Sequence, residues 1–161
     1  MNRIKSYFPT YTYLILLEED HAVTPDFLHI TTQLNTFAAD QNGKINQNHD
    51  RFMTTLGTYK SKLTTVKDDW LTVVSASFDS GRHNMGMILA RELVNQLTSE
   101  VFMETFCSYD DYNWDFSLYH TILTQMKFIR VFYPLIPRVF HLGMLNTVIG
   151  LLESSHFYLI K

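Results

Sequence analysis

Two dense acidic groups and a few histidines are the residues most able to do chemistry. Glu18, Glu19 and Asp20 follow one another directly, with His21 behind them. Hard carboxylate oxygens suit Mn²⁺ or Mg²⁺, and a divalent cation neutralises a diphosphate as it leaves. Neighbouring acids also occur as plain solvated turns, and spacing alone does not separate the two readings. Position favours the cation, because the triplet follows immediately on the apolar run YTYLILL at residues 11–17. His21 reads as a structural neighbour of the acids. His141 ends an apolar segment and could complete a metal site with Asp20.

The second group is Asp110, Asp111 and Asp115, interleaved with Tyr112, Trp114 and Phe116. A carboxyl set among aromatic rings can be raised in pKa and serve as a general base. Asp110 or Asp111 also reads as a helix N-cap. Asp115 falls inside the expected helix, where Asp is less favoured, and so needs another reason to be there. Nucleophilic chemistry has little support. There is no G-x-S-x-G, no phosphate loop, no G-x-G-x-x-G and no zinc spacing, and Cys107 has no paired His and Asn nearby.

The elements that must position these groups follow from periodicity. Residues 11–17 read as a strand buried on both faces. Thr24-Pro25 starts a helix whose inner face carries Phe27, Ile30, Leu34 and Phe37. Residues 38–48, with Asn42-Gly43, read as a loop. The signal at 51–67 is weak, with a turn at Leu56-Gly57-Thr58-Tyr59. A strand at 70–76 and a loop at 77–84 precede a helix carrying Met85, Leu89, Leu93 and Leu97 at steps of four. Residues 106–115 are too rich in acids and aromatics for a simple helix. A helix at 113–126 and strands at 128–133 and 136–141 complete the pattern. Strands alternating with amphipathic helices predict an α/β fold with a largely parallel sheet, in which ligands sit at the carboxyl ends of strands.

Bulk properties bound the partners. A chain of 161 residues fits one domain or a piece of a larger one, and 46% hydrophobic and 14% aromatic content is enough for a sizeable core. The net charge of −3 carries no basic stripe, so nucleic acid and anionic membrane surfaces are not expected partners. The single cysteine cannot form an internal disulfide. No signal peptide is visible. The longest charge-free stretch, 139–152, is too short to span a bilayer and is interrupted by His141 and Asn146, so a soluble chain is expected.

Four segments, in order, carry a resemblance. They are Leu16-Leu17-Glu18-Glu19-Asp20-His21-x-x-x-Pro25-Asp26-Phe27, His83-Asn84-Met85-Gly86, Phe106-Cys107-x-Tyr109-Asp110-Asp111-Tyr112-Asn113-Trp114-Asp115 and Ile136-Pro137-Arg138-Val139-Phe140-His141. Together they resemble the N-acetylglucosaminyltransferase II family over residues 11–143, more weakly from 40 to 80.

The resemblance implies an α/β GT-A (Rossmann-like) glycosyltransferase fold on the lumenal side of the Golgi membrane. It implies Mn²⁺ as cofactor, UDP-N-acetylglucosamine as donor and an N-glycan on a glycoprotein as acceptor. Transfer would invert the sugar carbon and form a β1,2 linkage to the mannose of the α1,6 arm. By the same resemblance Asp20 and His141 bind the metal, with Glu18 and Glu19 shaping its site, and Asp115 is the catalytic base. Tyr112, Asn113 and Trp114 line the donor and acceptor pocket, which His83 and Asn84 also contact.

Against the family pattern, residues 1–143 correspond to a C-terminal portion of the catalytic domain. The first nucleotide-binding strands and the membrane anchor are expected to lie outside this chain, and 144–161 reads as a divergent apolar tail. Phe102 and Thr124 stand where the family has a cysteine pair, and Cys107 matches a family cysteine whose partner lies beyond this chain. The alternative expectation is a truncated, inactive fragment that keeps only metal or partial ligand binding.

Overall fold

The computed structural model describes residues 10–45, 52–59, 72–110 and 113–142. In chain order these form β1 (Tyr13–Leu16), β2 (His21–Val23), α1 (Phe27–Ile45), β3 (Phe52–Thr55), β4 (Val73–Ser77), α2 (Ser80–His83), β5 (Met87–Ala90), α3 (Arg91–Leu97), α4 (Glu100–Tyr109), α5 (Trp114–Thr121), β6 (Arg130–Pro134) and β7 (Val139–His141). One turn of π-helix, Ile122–Met126, extends α5 and ends at Lys127, which has a positive φ of 67°.

A five-stranded sheet in the order β1-β5-β3-β6-β4 separates two apolar cores. The pleat sends alternate residues to opposite faces. Met53, Met87, Leu89 and Val131 pack on one side with Leu93, Val94 and Leu97 of α3, Leu118 of α5, and Ile122 and Met126 of the π-turn. Phe52, Ile88 and Phe132 pack on the other side with Ile30, Leu34 and Ala38 of α1. The result is helix–sheet–helix layering, a mixed α/β fold.

The sheet is not largely parallel. Only β3 and β6 run parallel, whereas β1–β5, β3–β5 and β4–β6 are antiparallel. The expectation failed chiefly at 85–97. Met85, Leu89, Leu93 and Leu97 do recur at steps of four, but the spacing spans a strand and the helix after it. Met87, Ile88 and Leu89 are consecutive and all buried, as a strand between two cores requires and a surface helix does not allow.

Other boundaries shifted for similar reasons. Among the described residues β1 is an edge strand paired only with β5, so Tyr13 is exposed and Leu14 to Leu16 are half-buried, not buried on both faces. α1 runs on through Asn42-Gly43, because Ile30, Leu34 and Ala38 anchor it and a single helical glycine costs only about 1 kcal/mol. Phe37 lies 42% exposed, at the edge of its inner face, with its ring against Phe132. α4 continues through Phe106 to Tyr109 as ordinary helix. The expected loop at 77–84 contains α2, which Asp79 caps by accepting the Gly81 N–H.

A second, two-stranded sheet holds the acidic turn. β2 pairs antiparallel with β7, opposing His21 to His141 and Val23 to Val139. Buried Arg138, just before β7, is paired with Asp26 at 3.0 Å and donates to the Ile136 carbonyl, tying β7 to the start of α1. Burial alone would raise the Asp26 carboxyl. The Thr24 hydroxyl and the Arg138 guanidinium more than offset it, holding that carboxyl below its usual range. Gly57 and Gly86 let the segments after β3 and before β5 approach β7. Gly86 has a φ of +62°, and a Cβ there would lie 2.6 Å from Val139 Cγ2.

Among the described residues no helix is long and apolar enough to cross a membrane.

Candidate functional site

β1 ends at Leu16 and the chain turns through the three acids. The His21 N–H donates to the Glu18 carbonyl at 3.1 Å, and the Leu142 N–H donates to the Asp20 carbonyl at 2.7 Å. These bonds and the β2–β7 register bring residues from the two ends of the described chain together. Asp20 Oδ2 lies 2.8 Å from His141 Nε2. Asp20 Oδ1 is buried and has no hydrogen-bond partner among the described residues. It is an open carboxylate acceptor beside an imidazole nitrogen, the donor set a hard or borderline divalent cation uses.

Glu18, Asp20 and His21 each offer a ligand atom within 4.8 Å of the others. One ring nitrogen of His21, however, is committed elsewhere, while Nε2 has no hydrogen-bond partner among the described residues. Its Nδ1 accepts the Glu18 N–H at 3.1 Å, and its side chain is 1% exposed. Burial lowers its pKa despite the nearby Glu18 and Asp20 charges, so the neutral ring is favoured. A neutral ring that accepts at Nδ1 carries its hydrogen on Nε2, which faces Glu18 Oε2 at 3.7 Å. His21 therefore braces the turn. Asp20, Glu18 and His141 are left as the residues able to hold a cation. Glu19 is exposed on the same turn.

The second acidic group assembles around the start of α5. Asp110 accepts the Asn113 N–H at 3.1 Å and its side-chain amide at 3.2 Å, clamping the residue that begins the helix. Asp110 itself lies outside the cap, which is Asn113. Asp115 follows in the first turn. Its Oδ1 accepts the Phe116 N–H at 2.9 Å, and its Oδ2 accepts the Asn84 amide at 3.2 Å. Asn84 caps the end of α2, and its own Oδ1 is buried without a partner among the described residues. Trp114 Nε1 donates to Glu18 Oε1 at 3.2 Å, joining the start of α5 to the acidic turn.

Tyr59 stands between the two groups. Its ring centroid is 6.0 Å from that of His141. Burial, then the charges of Glu18, Asp20 and Asp115, push its phenol pKa up. Sequence reasoning placed Tyr59 only in a turn, since neither its type nor its spacing ties it to an acidic cluster far along the chain. The Leu56-Gly57 turn directly after β3 was the available signal.

The structure thus brings Glu18, Asp20, His141, Trp114, Asp115 and Asn84 together. His83 lies apart from them, in the interior. It is 2% exposed, its Nδ1 accepts the Asp79 N–H, and its ring packs between Phe78 and Tyr133. Tyr112 and Asp111 lie outside the described residues, as does the expected tail from 144 onward.

Fold and site define a mixed α/β protein with an acidic turn facing a histidine and a separate carboxylate held at a helix start. The chain belongs to the N-acetylglucosaminyltransferase II (MGAT2) family, whose profile matches residues 1–148. It is similar to the alpha-1,6-mannosyl-glycoprotein 2-beta-N-acetylglucosaminyltransferase of Sus scrofa, at 39% identity over 131 residues, 81% of this chain and 27% of the relative. The Homo sapiens enzyme of the same name is 37% identical over 132 residues (81% and 27%), and that of Mus musculus 36% over 138 residues (83% and 28%). The chain thus spans only 27–28% of the length of the curated relatives it matches.

Proposed function

We propose that this chain carries the metal and catalytic-base portion of an inverting glycosyltransferase of GT-A fold. The enzyme moves N-acetylglucosamine from UDP-N-acetylglucosamine to the α1,6-arm mannose of an N-glycan in β1,2 linkage, on the lumenal side of the Golgi membrane. The observation that carries this reading is the Asp20 carboxylate, with one oxygen on His141 and the other open. Family membership supplies the reaction class.

Asp20 and His141 would hold Mn²⁺, with Glu18 in reach. The cation supplies Lewis-acid neutralisation of the diphosphate that departs with UDP. Asp115 takes the proton from the mannose 2-hydroxyl as that oxygen attacks the anomeric carbon from the face opposite UDP, which inverts the configuration. Asn84 and the Phe116 N–H fix the carboxylate of Asp115 in orientation. Trp114 presents an indole face at 37% exposure while its N–H is spent on Glu18, which suits stacking on a sugar ring.

Titration of the 161-residue chain with UDP, with and without Mn²⁺, tests the reading by calorimetry. UDP binding that requires Mn²⁺ and is lost in Asp20→Asn and His141→Ala is expected. Metal-independent binding, or none, overturns the proposal that this chain holds the site. In a version with turnover, Asp115→Asn should lower the rate by roughly 100-fold or more while UDP affinity stays unchanged. Retained turnover removes Asp115 from the base role.

A further inference from the structure

We propose that Tyr59 is a further residue of this site, its ring seating the His141 imidazole and its hydroxyl donating a hydrogen bond to a phosphate oxygen of the bound nucleotide. This rests on the reading of the site as a metal-dependent nucleotide-sugar site.

The backbone around Tyr59 is fixed. The Leu56 N–H donates to the Gly86 carbonyl at 3.0 Å, the Gly57 N–H to the Met85 carbonyl at 3.1 Å and the Tyr59 N–H to the Arg82 carbonyl at 3.3 Å. The turn after β3 is thereby laced to the segment before β5, and the phenol leaves it at a defined point. Its ring packs against the core that contains Leu56, Met85 and Val139. It meets the His141 ring at 6.0 Å, while the His21 ring meets His141 edge-on at 6.2 Å. His141 therefore touches a ring on either partner, and its Nε2 is directed at Asp20.

That packing needs only the ring, and phenylalanine would supply it. The hydroxyl needs a separate reason, because a half-buried tyrosine usually spends its O–H on a partner. Among the described residues it makes no hydrogen bond. The ionisable groups whose charges act on it are Glu18, Asp20 and Asp115, all acceptors. Among the described residues no lysine or arginine is ion-paired with any of these three, and the Trp114 N–H is already spent. The Tyr59 O–H is an unspent donor at a site proposed to receive an anion. A neutral donor there contacts phosphate oxygen without repelling the cation that Asp20 and His141 would hold.

Calorimetry on the 161-residue chain separates the two parts, with Mn²⁺ alone and UDP with Mn²⁺ as probes. Tyr59→Phe should keep the Mn²⁺ affinity within about twofold and weaken UDP binding roughly tenfold, the loss expected for one hydrogen bond to a charged group. Tyr59→Leu, which keeps apolar bulk but no ring, should weaken Mn²⁺ binding itself by several-fold. Thermal melting confirms that each variant is folded. UDP affinity in Tyr59→Phe equal to that of the unchanged chain overturns the hydroxyl contact. Unchanged Mn²⁺ affinity in Tyr59→Leu overturns the seating of His141. If the unchanged chain binds no UDP in the presence of Mn²⁺, the reading of the whole site fails and this proposal goes with it.

Discussion

His83 and Asn84 are adjacent in sequence and do opposite things. Asn84 reaches Asp115 with its amide, whereas His83 turns inward between Phe78 and Tyr133. Burial lowers the pKa of His83, with Asp79 opposing the shift and Arg82 reinforcing it. Its folded value therefore lies below its unfolded one, and the unfolded chain binds more protons in the interval between them. The stability this contributes is fully present above about pH 6.5 and is lost as pH falls through the folded value. His21 is shifted in the same direction and adds to the effect. Thermal melts from pH 7.5 down to 5 should show a falling Tm, and His83→Gln should show a shallower fall. An equal slope in both chains removes His83 as a source. Residue type and position in the sequence singled out the acids and His141 as candidates, and the structure sets Asp20 beside His141. The sequence could not reveal that the Nδ1 atoms of His21 and His83 are spent on backbone N–H groups, because that depends on turn geometry. The same limit hid Tyr59, whose relevance comes wholly from which strand end it is pinned beside.

At the scale of elements, β7 is the part on which the site turns. It carries His141, and Val139 at its start lies against both Gly57 and Gly86. A Cβ on Gly57 would meet the Val139 carbonyl oxygen at 2.5 Å and Met85 Cβ at 3.0 Å, so backbone must move to admit it. Gly57→Ala should cost about 1–3 kcal/mol and displace β7. Mn²⁺ affinity should then fall along with Tm. A variant that loses stability but binds Mn²⁺ as before would show that β7 keeps its place and that another part of the fold absorbs the strain. The strand ending just before the acids and the helix from about residue 113 were readable because flanking residues change character abruptly there. β5 was misread because two neighbouring elements happened to share one helical spacing. Hydrophobic period alone does not separate a buried strand followed by a helix from a single longer helix.

Over the whole molecule, apolar contacts concentrate on β3, β5 and β6, whose residues feed both cores. The β2–β7 pair has three residues on each strand and stands outside the main sheet. Two-stranded ribbons of this size are marginal by themselves. Hydrogen exchange should find the slowest amides in β3, β5 and β6, with β2 and β7 opening at lower free energy. Uniform protection across both sheets would contradict this ordering. Layering of helices on a sheet was legible from composition and alternation. Strand direction was not, since an antiparallel β1–β5 pair and a parallel β3–β6 pair leave the same mark on a single apolar strand.

The ribbon also sets a ceiling on affinity. Asp20 and His141 come from distant parts of the chain, and only the zipped ribbon presents both at once. Any ion they share is bound by the closed fraction alone, so its apparent dissociation constant is the intrinsic one divided by that fraction. Such an ion would in turn hold the ribbon shut, stabilising it with the logarithm of its concentration once that exceeds the dissociation constant. Whatever shortens the time the two strands spend apart would tighten the site without touching a single ligand atom.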